Sequence, residues 1–301
     1  MLLIGKIYNR NLLLFLTAMV LYSCGTTKKV VNEQRNENVV PEELIKEFKK
    51  DTIVGIKIIT GTKVVNNNDS ITEVEEVIDE ENVKVLPETF DHSIWNELLK
   101  KHVSEKGNVN YKGFKNDYTV LKSYLAVLSE KIPDDTWSKS EKLAYWINAY
   151  NAFTVKLIVD RYPINSIKDI ESPWDFRFIK LEEKWYTLND IEHKILRKMN
   201  DPRIHFGIVC ASFSCPKLQD KAFIASTINT QLDDATKEFL ADPIRNKLSE
   251  NSMQLSKIFK WFAKDFKKDG NLIDFLNKYS EITISQNAKK SFKAYNWDLN
   301  E

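Results

Sequence analysis

The chain has 301 residues, of which 43% are hydrophobic, and 44 basic residues nearly balance 43 acidic ones for a formal net charge of +1. This apolar content is that of a globular protein and excludes a chain that is disordered throughout. The charge balance excludes the overall basic excess that is typical of nucleic-acid-binding proteins, so we expect no nucleic acid as a partner.

The first 23 residues have the pattern of a signal peptide. Lys6 and Arg10 precede an apolar run over residues 12–21, and Ser23 and Cys24 follow it. The run is about ten residues long, whereas a membrane-spanning helix needs ~20. The stretch "LYSC" resembles a bacterial lipoprotein signal, in which the cysteine is lipidated and becomes the new first residue. The alternative is an ordinary secretory peptide in which Cys24 has no role, but the position of Cys24 favours lipidation.

Lipidation at Cys24 predicts where the protein works. We expect it to be tethered to the membrane through this lipid anchor, in the cell envelope, at the periplasmic or surface side of the outer membrane. Its further partner would be an unknown envelope ligand or protein. Export would also place the remaining thiols in an oxidising compartment.

Residues 24–91 predict a lipidated and mostly disordered tether. Phe48 and Phe90 are the only aromatic residues between positions 25 and 91, whereas residues 92–301 contain twenty-nine. Such a stretch cannot bury much apolar surface. The sequence "TIVGIKIITGTKVV" permits one short hairpin, at residues 52–65. The folded domain is therefore expected over residues 92–301.

Hydrophobic periodicity predicts that this domain is a single helix-rich α+β unit with a small β-sheet. Ser93 is placed to cap a first helix, and a second helix is expected near residues 117–130. Ser138 and Glu141 form a capping-box pattern at the start of a long helix. Pro163 ends this helix, since proline cannot continue it.

The second half of the domain mixes helices with short strands. Thr187 and Asp190 repeat the capping pattern ahead of "LNDIEHKILRKM". The stretch "RIHFGIVC", at residues 203–210, predicts a β-strand. Three further elements are expected: a helix around residues 226–240, a strand near 252–255, and a helix from Ser256 through "KIFKWFAKDF".

Two amides lie on a side of the long helix that is otherwise apolar. Asn148 and Asn151 are three residues apart, and a buried amide without a partner costs on the order of 1–3 kcal/mol. The interpretation we favour is that both bind loop backbone. The alternative is that they line a pocket, where Asn148 would stabilise an oxyanion.

A carboxylate lies on the apolar stripe of the next helix. Glu192 needs a cation or several hydrogen-bond donors there, or it takes up a proton. Arg203 is a nearby candidate for this partner, and Arg197 is expected on the other side of the helix. His193 lies at the edge of the stripe, where it would reach a cleft. A structural ion pair under a loop is at least as good an interpretation as catalysis.

The stretch "HFGIVCASFSC" holds two of the three cysteines. On a regular strand Cys210 would point to the core, and His205 would point to the opposite face. Cys215 follows a turn and precedes Pro216, so it would lie on a loop that can fold over either face.

Four interpretations of these cysteines compete. Cys210 and Cys215 could form a disulfide across the turn, although the loop that it closes is small. They could be packed free thiols. Cys215 could be a nucleophile activated by His205 or His193, with Glu192 or an asparagine orienting the histidine. A zinc site would need about four ligands. Packing and a disulfide rank together above catalysis, and a metal site ranks last.

The motifs "LAYWINAYNAFTV", "TLNDIEHKILR" and "DPRIHFGIVCASFSCPKL" resemble a family of bacterial and plant proteins, domain of unknown function 547. The resemblance runs from about Trp95 to Phe266 and implies no assigned activity. The family's patterned positions fall on these residues of this sequence: Asn148, Asn151, Glu192, His193, Arg197, Arg203, His205, Cys210, Ser212, Cys215 and Pro216. We expect these polar groups to converge on one pocket, because they are costly to keep buried.

Three functional hypotheses follow. The first is a lipoprotein that carries a binding or structural module, in which Asn151, Arg197, Arg203 and Ser212 serve recognition or structure. The second is a cysteine-dependent hydrolase or acyltransferase, in which Cys215 attacks and a histidine acts as base. The third is a metal site built from histidines and cysteines. We expect no cofactor and no bound metal in the favoured case.

Overall fold

The computed structural model describes residues 90–268 and 270–301. The predicted signal peptide, Cys24, the hairpin at residues 52–65 and nearly all of the predicted tether lie outside this range. The residues that the structure describes fall within one compact unit. They form helices with two small sheets, so the prediction of a helix-rich α+β fold is confirmed.

Eight α-helices occur in chain order within the described residues. Their bounds are α1 Ser93–His102, α2 Tyr111–Asn116, α3 Tyr118–Glu130, α4 Lys139–Arg161, α5 Ile204–Gly207, α6 Ile228–Ala241, α7 Ile258–Trp261 and α8 Leu272–Tyr279. A π-helical turn and three 3₁₀ segments lie between them: the π-turn Asp190–Ile195 and the 3₁₀ turns Ile167–Asp169, Leu196–Met199 and Asp265–Lys267.

Two sheets replace the single small sheet that the sequence predicts. The first is an antiparallel hairpin of β1 (Ile179–Leu181) and β2 (Lys184–Tyr186). The second has the order β3-β4-β5, with strands Lys247–Ser249, Ser252–Leu255 and Lys289–Phe292. In it β3 pairs with β4 in antiparallel fashion, and β4 pairs with β5 in parallel.

Helix α4 is the centre of the larger of two hydrophobic clusters. Every residue from 143 to 155 is buried, so protein surrounds this part of the helix on all sides. The predicted capping box is present: Ser138 Oγ accepts from Glu141 N, and Glu141 accepts from Ser138 N. Phe90, which the sequence places in the tether, is also buried in this cluster.

The strand predicted for residues 203–210 is wrong. Asp201 and Pro202 start a helical turn instead: Asp201 Oδ1 accepts from Arg203 N at 3.1 Å, and the turn continues as α5. Aspartate satisfies the free N–H groups at a helix start, and proline fits the first turn. All four residues of α5 are buried, so buried and exposed side chains do not alternate here.

Two other boundaries also differ from prediction. Ser93 is the first residue of α1 rather than its cap, because His92 occupies the cap position without a side-chain cap bond. The helix expected from Ser256 onward is confined to α7, followed by the 3₁₀ turn Asp265–Lys267. Within residues 90–268 and 270–301 there is no helix long and apolar enough to cross a membrane.

Candidate functional site

A cavity of about 250 Å³ collects most of the residues that the sequence marks as chemically active. Its polar part is formed by Glu192 and His193 from the π-turn, His205 from α5, and the pair Cys210 and Cys215 from the loop that follows. Its remaining wall is largely aromatic or apolar, together with Asn189: Tyr150, Trp174, Asn189, Ile208, Pro216, Ile258, Trp261, Phe262, Tyr295 and Trp297. A larger cavity of about 560 Å³, beside Glu105 and Arg245, shares only Pro216 with the patterned positions.

The two cysteines of the cavity wall form a disulfide, Cys210–Cys215. Cys215 is 2% exposed, whereas Cys210 is only half-buried. This pairing is one of the two interpretations that rank highest on the sequence. It contradicts the hypothesis of Cys215 as a free thiolate nucleophile, because its sulfur is already bonded.

Three hydrogen-bond donors surround the Cys215 sulfur. The Cys210 N–H lies 3.0 Å from Cys215 Sγ, and the hydroxyl oxygens of Ser212 and Tyr295 each lie 3.3 Å from it. The same two hydroxyls also lie 3.3 Å from Cys210 Sγ. Burial raises the pKa of Tyr295 to about 12, so this phenol stays protonated and able to donate.

Glu192 is buried in the cavity wall, as predicted, but its partner is not Arg203. Tyr150 Oη donates to Glu192 Oε2 at 3.2 Å. Burial raises the pKa of Glu192 to about 7, against the lowering effects of the Tyr150 hydrogen bond and the Arg197 charge. A carboxyl with this pKa exchanges its proton near neutral pH.

Arg203 belongs to a separate ion-pair cluster. Its guanidinium donates to Asp201 at 2.6 and 2.9 Å and to Asp233 at 2.8 Å. Asp201 starts the turn that leads into α5, so this cluster fixes the approach to the helix that carries His205. The role of Arg203 in the structure is therefore positional, and it does not line the cavity.

An ion-pair network that includes Asp265 supports the histidine side of the cavity. Asp265 accepts from His205 Nε2 at 2.9 Å and from Arg197 at 2.6 and 3.1 Å. Burial alone would raise the pKa of Asp265, but these hydrogen bonds outweigh it and hold the pKa well below its usual value. An ionised carboxylate only accepts, so His205 carries its proton on Nε2.

The pKa values of the two histidines are both lowered, which favours their neutral forms. Burial lowers the pKa of His205, whose ring stacks on Phe262 with a centroid distance of 4.0 Å. Burial and the Arg197 charge lower the pKa of His193. Arg197 donates to His193 Nδ1 at 3.3 Å, which leaves that nitrogen as an acceptor. His205 and Cys210 line the same cavity, contrary to the opposite-face geometry expected of a strand.

The side chains of Asn148 and Asn151 hydrogen-bond backbone groups, as the favoured interpretation states. Asn148 donates to Phe223 O at 2.7 Å and accepts from Phe223 N at 3.1 Å. Asn151 donates to Gly207 O at 2.8 Å and accepts from Val209 N at 3.0 Å. Neither side chain reaches the cavity, so Asn148 is not positioned to hold an oxyanion. Asn151 instead fixes the backbone turn between α5 and the disulfide loop.

The aromatic wall is the part of the site that sequence reasoning missed. The rings of Trp174 and Trp297 lie edge to face with centroids 5.6 Å apart. The ring centroids of Tyr295 and Trp297 are 4.5 Å apart. Trp261 packs on both Tyr295 and Trp297 while it remains 46% exposed. The sequence shows that the chain is rich in tryptophan. It does not show that Trp174, Trp261 and Trp297 meet, because they are too far apart for any periodic pattern to relate them.

The cavity does not resemble a metal centre. Within the part of the chain that the structure describes, no group of three or more histidine, cysteine, aspartate or glutamate side chains has an arrangement that could hold a metal ion. Both cysteines are also used by the disulfide. The hypothesis of a metal site built from histidines and cysteines therefore lacks a ligand set here.

Comparison with known proteins gives one match. A family model described as "Protein of unknown function, DUF547" matches residues 135–240, which include α4, the π-turn, α5 and the disulfide loop. No curated protein and no solved structure matches the chain. The match includes the cavity-lining residues from Tyr150 to Pro216 and omits those further along the chain: Ile258, Trp261, Phe262, Tyr295 and Trp297. It supports the assignment of residues 135–240 to the DUF547 domain family.

Proposed function

We propose that this protein is a cell-envelope lipoprotein, anchored through Cys24, whose folded part binds a small organic group in the aromatic cavity. The anchor is supported by the basic and apolar pattern ahead of Cys24. The binding role rests on one observation above all: a carboxyl group, Glu192, is buried in a wall of aromatic rings that opens to solvent.

The size of the cavity suits one ring rather than a large ligand. Its volume of about 250 Å³ is just below the range of about 300–1,000 Å³ that is usual for sites of drug-sized molecules. Trp174, Trp297 and Tyr295 line the cavity, and aromatic contacts with a bound ring favour stacked or edge-to-face geometry. The occupant is therefore a single ring, free or as a side group of a larger molecule.

The charges around the cavity favour a cationic head on that ring. Arg197 and Asp265 neutralise each other in a close ion pair, and the lowered pKa of His193 favours its neutral form. Glu192 is then the group in the wall that can carry an unpaired negative charge. Among the described residues, Tyr150 donates the hydrogen bond that its carboxyl accepts. An ammonium beside Glu192 would gain a charge-assisted bond and face the negative side of the rings.

Phenethylamine and its neutral analogue 2-phenylethanol form a matched pair of probes for this proposal. We expect the amine to quench tryptophan fluorescence saturably and to bind at least tenfold more tightly than the alcohol at pH 8, because only the amine can pair with ionised Glu192. Binding of the amine should weaken as the pH falls from 8 to 6, since Glu192 takes up a proton near pH 7.

The variant Glu192→Gln should remove most of the preference for the amine, whereas Glu171→Gln, at an exposed position, should leave it unchanged. Calorimetry would provide the second measurement. Equal affinity of the two probes, or no saturable binding of either, would refute the binding mode.

A further inference from the structure

We propose that Cys210–Cys215 is a redox-active disulfide, which exchanges with a thiol compound that enters the aromatic cavity. This is an activity beyond ligand binding, and it does not depend on the preference for amines. Three features of the structure support it: the position of the two sulfurs, the hydrogen-bond donors around them, and the fixed loop that carries both.

The two cysteines differ in access. Both line the cavity, but Cys210 is half-buried whereas Cys215 is 2% exposed. Thiol–disulfide exchange proceeds by attack of a thiolate on one sulfur, and access decides which sulfur is attacked. The incoming thiolate therefore reaches Cys210, and Cys215 is the leaving group.

One donor, the Cys210 N–H, bonds Cys215 Sγ alone, whereas the Ser212 and Tyr295 hydroxyls lie 3.3 Å from both sulfurs. The Cys210 N–H, the Ser212 hydroxyl and the Tyr295 hydroxyl lie 3.0–3.3 Å from Cys215 Sγ. A neutral disulfide sulfur is a weak acceptor and gains little from three donors. A thiolate gains much more, because hydrogen bonds to an ionised acceptor are roughly twice as strong. The arrangement suits the reduced state, in which Cys215 carries the charge.

The loop that holds both cysteines is fixed independently of the disulfide. Arg245 donates to Cys215 O at 2.6 Å and to Phe213 O at 2.8 Å. The C-terminal segment adds two backbone bonds, from Phe213 N to Asp298 O and from Ser214 N to Asn296 O. Reduction would therefore leave both sulfurs in the cavity wall, ready to be oxidised again.

The step balances with a dithiol as the other reactant. A substrate thiolate attacks Cys210 Sγ, the Cys210–Cys215 bond breaks, and its electron pair leaves on Cys215 Sγ. The second substrate thiol, as a thiolate, then attacks the substrate sulfur that is joined to Cys210 and releases the Cys210 thiolate. The substrate is oxidised to a disulfide and the cysteine pair is reduced by two electrons. One of the two substrate protons ends on Cys210, and the other is released to solvent while Cys215 remains a thiolate.

The first test asks which cysteine reacts. We expect the single variant Cys215→Ala, with Cys210 free, to form a mixed disulfide with Ellman's reagent at least tenfold faster than Cys210→Ala, in which the remaining thiol is buried. Peptide mapping would distinguish both from Cys24, and circular dichroism would show that each variant is folded. Equal rates, or faster labelling of Cys215, would overturn the proposed direction of attack.

The second test keeps the cysteines and alters the donors. The full chain would be equilibrated in mixtures of reduced and oxidised glutathione, trapped by alkylation, and analysed by mass spectrometry. We expect Tyr295→Phe and Ser212→Ala each to shift the equilibrium about tenfold toward the disulfide, since each removes a bond to the Cys215 thiolate. Tyr162→Phe, whose hydroxyl bonds Glu301 away from the sulfurs, is the control.

A disulfide that serves only as a cross-link behaves differently in this experiment. It would remain oxidised in glutathione mixtures that reduce the exposed disulfides of a reference protein, or its equilibrium would be the same in all four proteins. Either result would refute the redox role and leave the amine-binding proposal untouched, because the Glu192→Gln comparison is measured with the disulfide intact.

Discussion

Glu192 couples the protonation of the cavity to the stability of the fold. Its pKa is about 7 in the folded protein, mainly because of burial, against an ordinary value of 4.5. The folded state therefore holds a proton that the unfolded state has lost between these two pH values. The resulting stabilisation is fully present below about pH 4.5, and it is lost as the pH rises through 7.

The first stability prediction follows from this linkage. Between pH 4.5 and pH 8 the free energy of unfolding should fall by roughly 3 kcal/mol more in the wild type than in Glu192→Gln, at about 1.4 kcal/mol for each unit between the two pKa values. His193 and His205 titrate in both proteins, so the difference between the two curves isolates Glu192. Urea denaturation at several pH values measures it.

The matched control for this comparison is Glu171→Gln, because Glu171 is exposed. Its curve should be parallel to that of the wild type. If Glu192→Gln is parallel to the wild type as well, the Glu192 carboxyl is ionised in the folded protein throughout this range. The expected dependence of amine binding on pH would then lose its basis too.

At the scale of elements, the π-turn Asp190–Ile195 places two adjacent residues on one cavity. Glu192 and His193 both line it, although neighbours on a regular helix point about 100° apart. A π-turn widens the helix locally, and such turns are frequent at functional sites. The capping pair at its start is the predicted one: Asp190 N donates to Thr187 Oγ1 at 3.0 Å, and Thr187 N donates to Asp190 Oδ2 at 2.9 Å.

The capping box of α4 gives a prediction at the same scale. Ser138→Ala should lower the free energy of unfolding by about 1 kcal/mol, because Glu141 N loses its acceptor at the helix start. Ser140→Ala, two residues further into the same helix, should be neutral or slightly stabilising, since alanine has the higher helix propensity. A loss in Ser140→Ala as large as in Ser138→Ala would show that capping is not the cause. Chemical denaturation of both variants measures the two free energies of unfolding.

At the scale of the whole molecule, the C-terminal segment completes the cavity. Isolated bridges pair Asp298 with Ser166 and Leu299 with Ser212. They bring Tyr295 and Trp297 against the disulfide loop, eighty or more residues away in the chain. The hydroxyl of buried Tyr111 donates to Asn300 at 2.7 Å and fixes the end of the segment. The cavity therefore depends on the packing of the C-terminal segment and not on the disulfide loop alone.

The lipid anchor is a prediction about the whole chain. In a bacterial host the wild type should sediment with membranes after a high-salt wash and should incorporate an alkyne-labelled fatty acid. Cys24→Ala should lose the label and most of the membrane association, because no other lipidation site is proposed. Sedimentation and in-gel fluorescence measure the two effects.

Thr27→Ala is the control for the anchor, since it lies beyond the cysteine and should retain both label and sedimentation. A labelled Cys24→Ala protein would contradict the assignment of the lipidation site. A wild type that carries no label would contradict the lipoprotein proposal as a whole. Neither result would bear on the cavity, because its residues lie in the folded part.

The amino-acid sequence by itself determined the local features of this protein. The capping pairs Ser138–Glu141 and Thr187–Asp190 were predictable, because a cap joins residues three apart. The buried helix α4 and the buried carboxyl of Glu192 were predictable from helical periodicity. The backbone role of Asn148 and Asn151 followed from the cost of an unpaired amide.

Only the tertiary structure decided how the site is assembled. Asp265 bonds His205 and Arg197 across 60 and 68 residues, and Tyr295 reaches Cys215 of the disulfide across 80. Such contacts depend on the path of the chain, which periodicity does not encode. The helical turn at residues 204–207 was mistaken for a strand, because a short, fully buried apolar run has no period that distinguishes the two. Whether Cys210 and Cys215 pair was likewise a question of distance, which the fold settled.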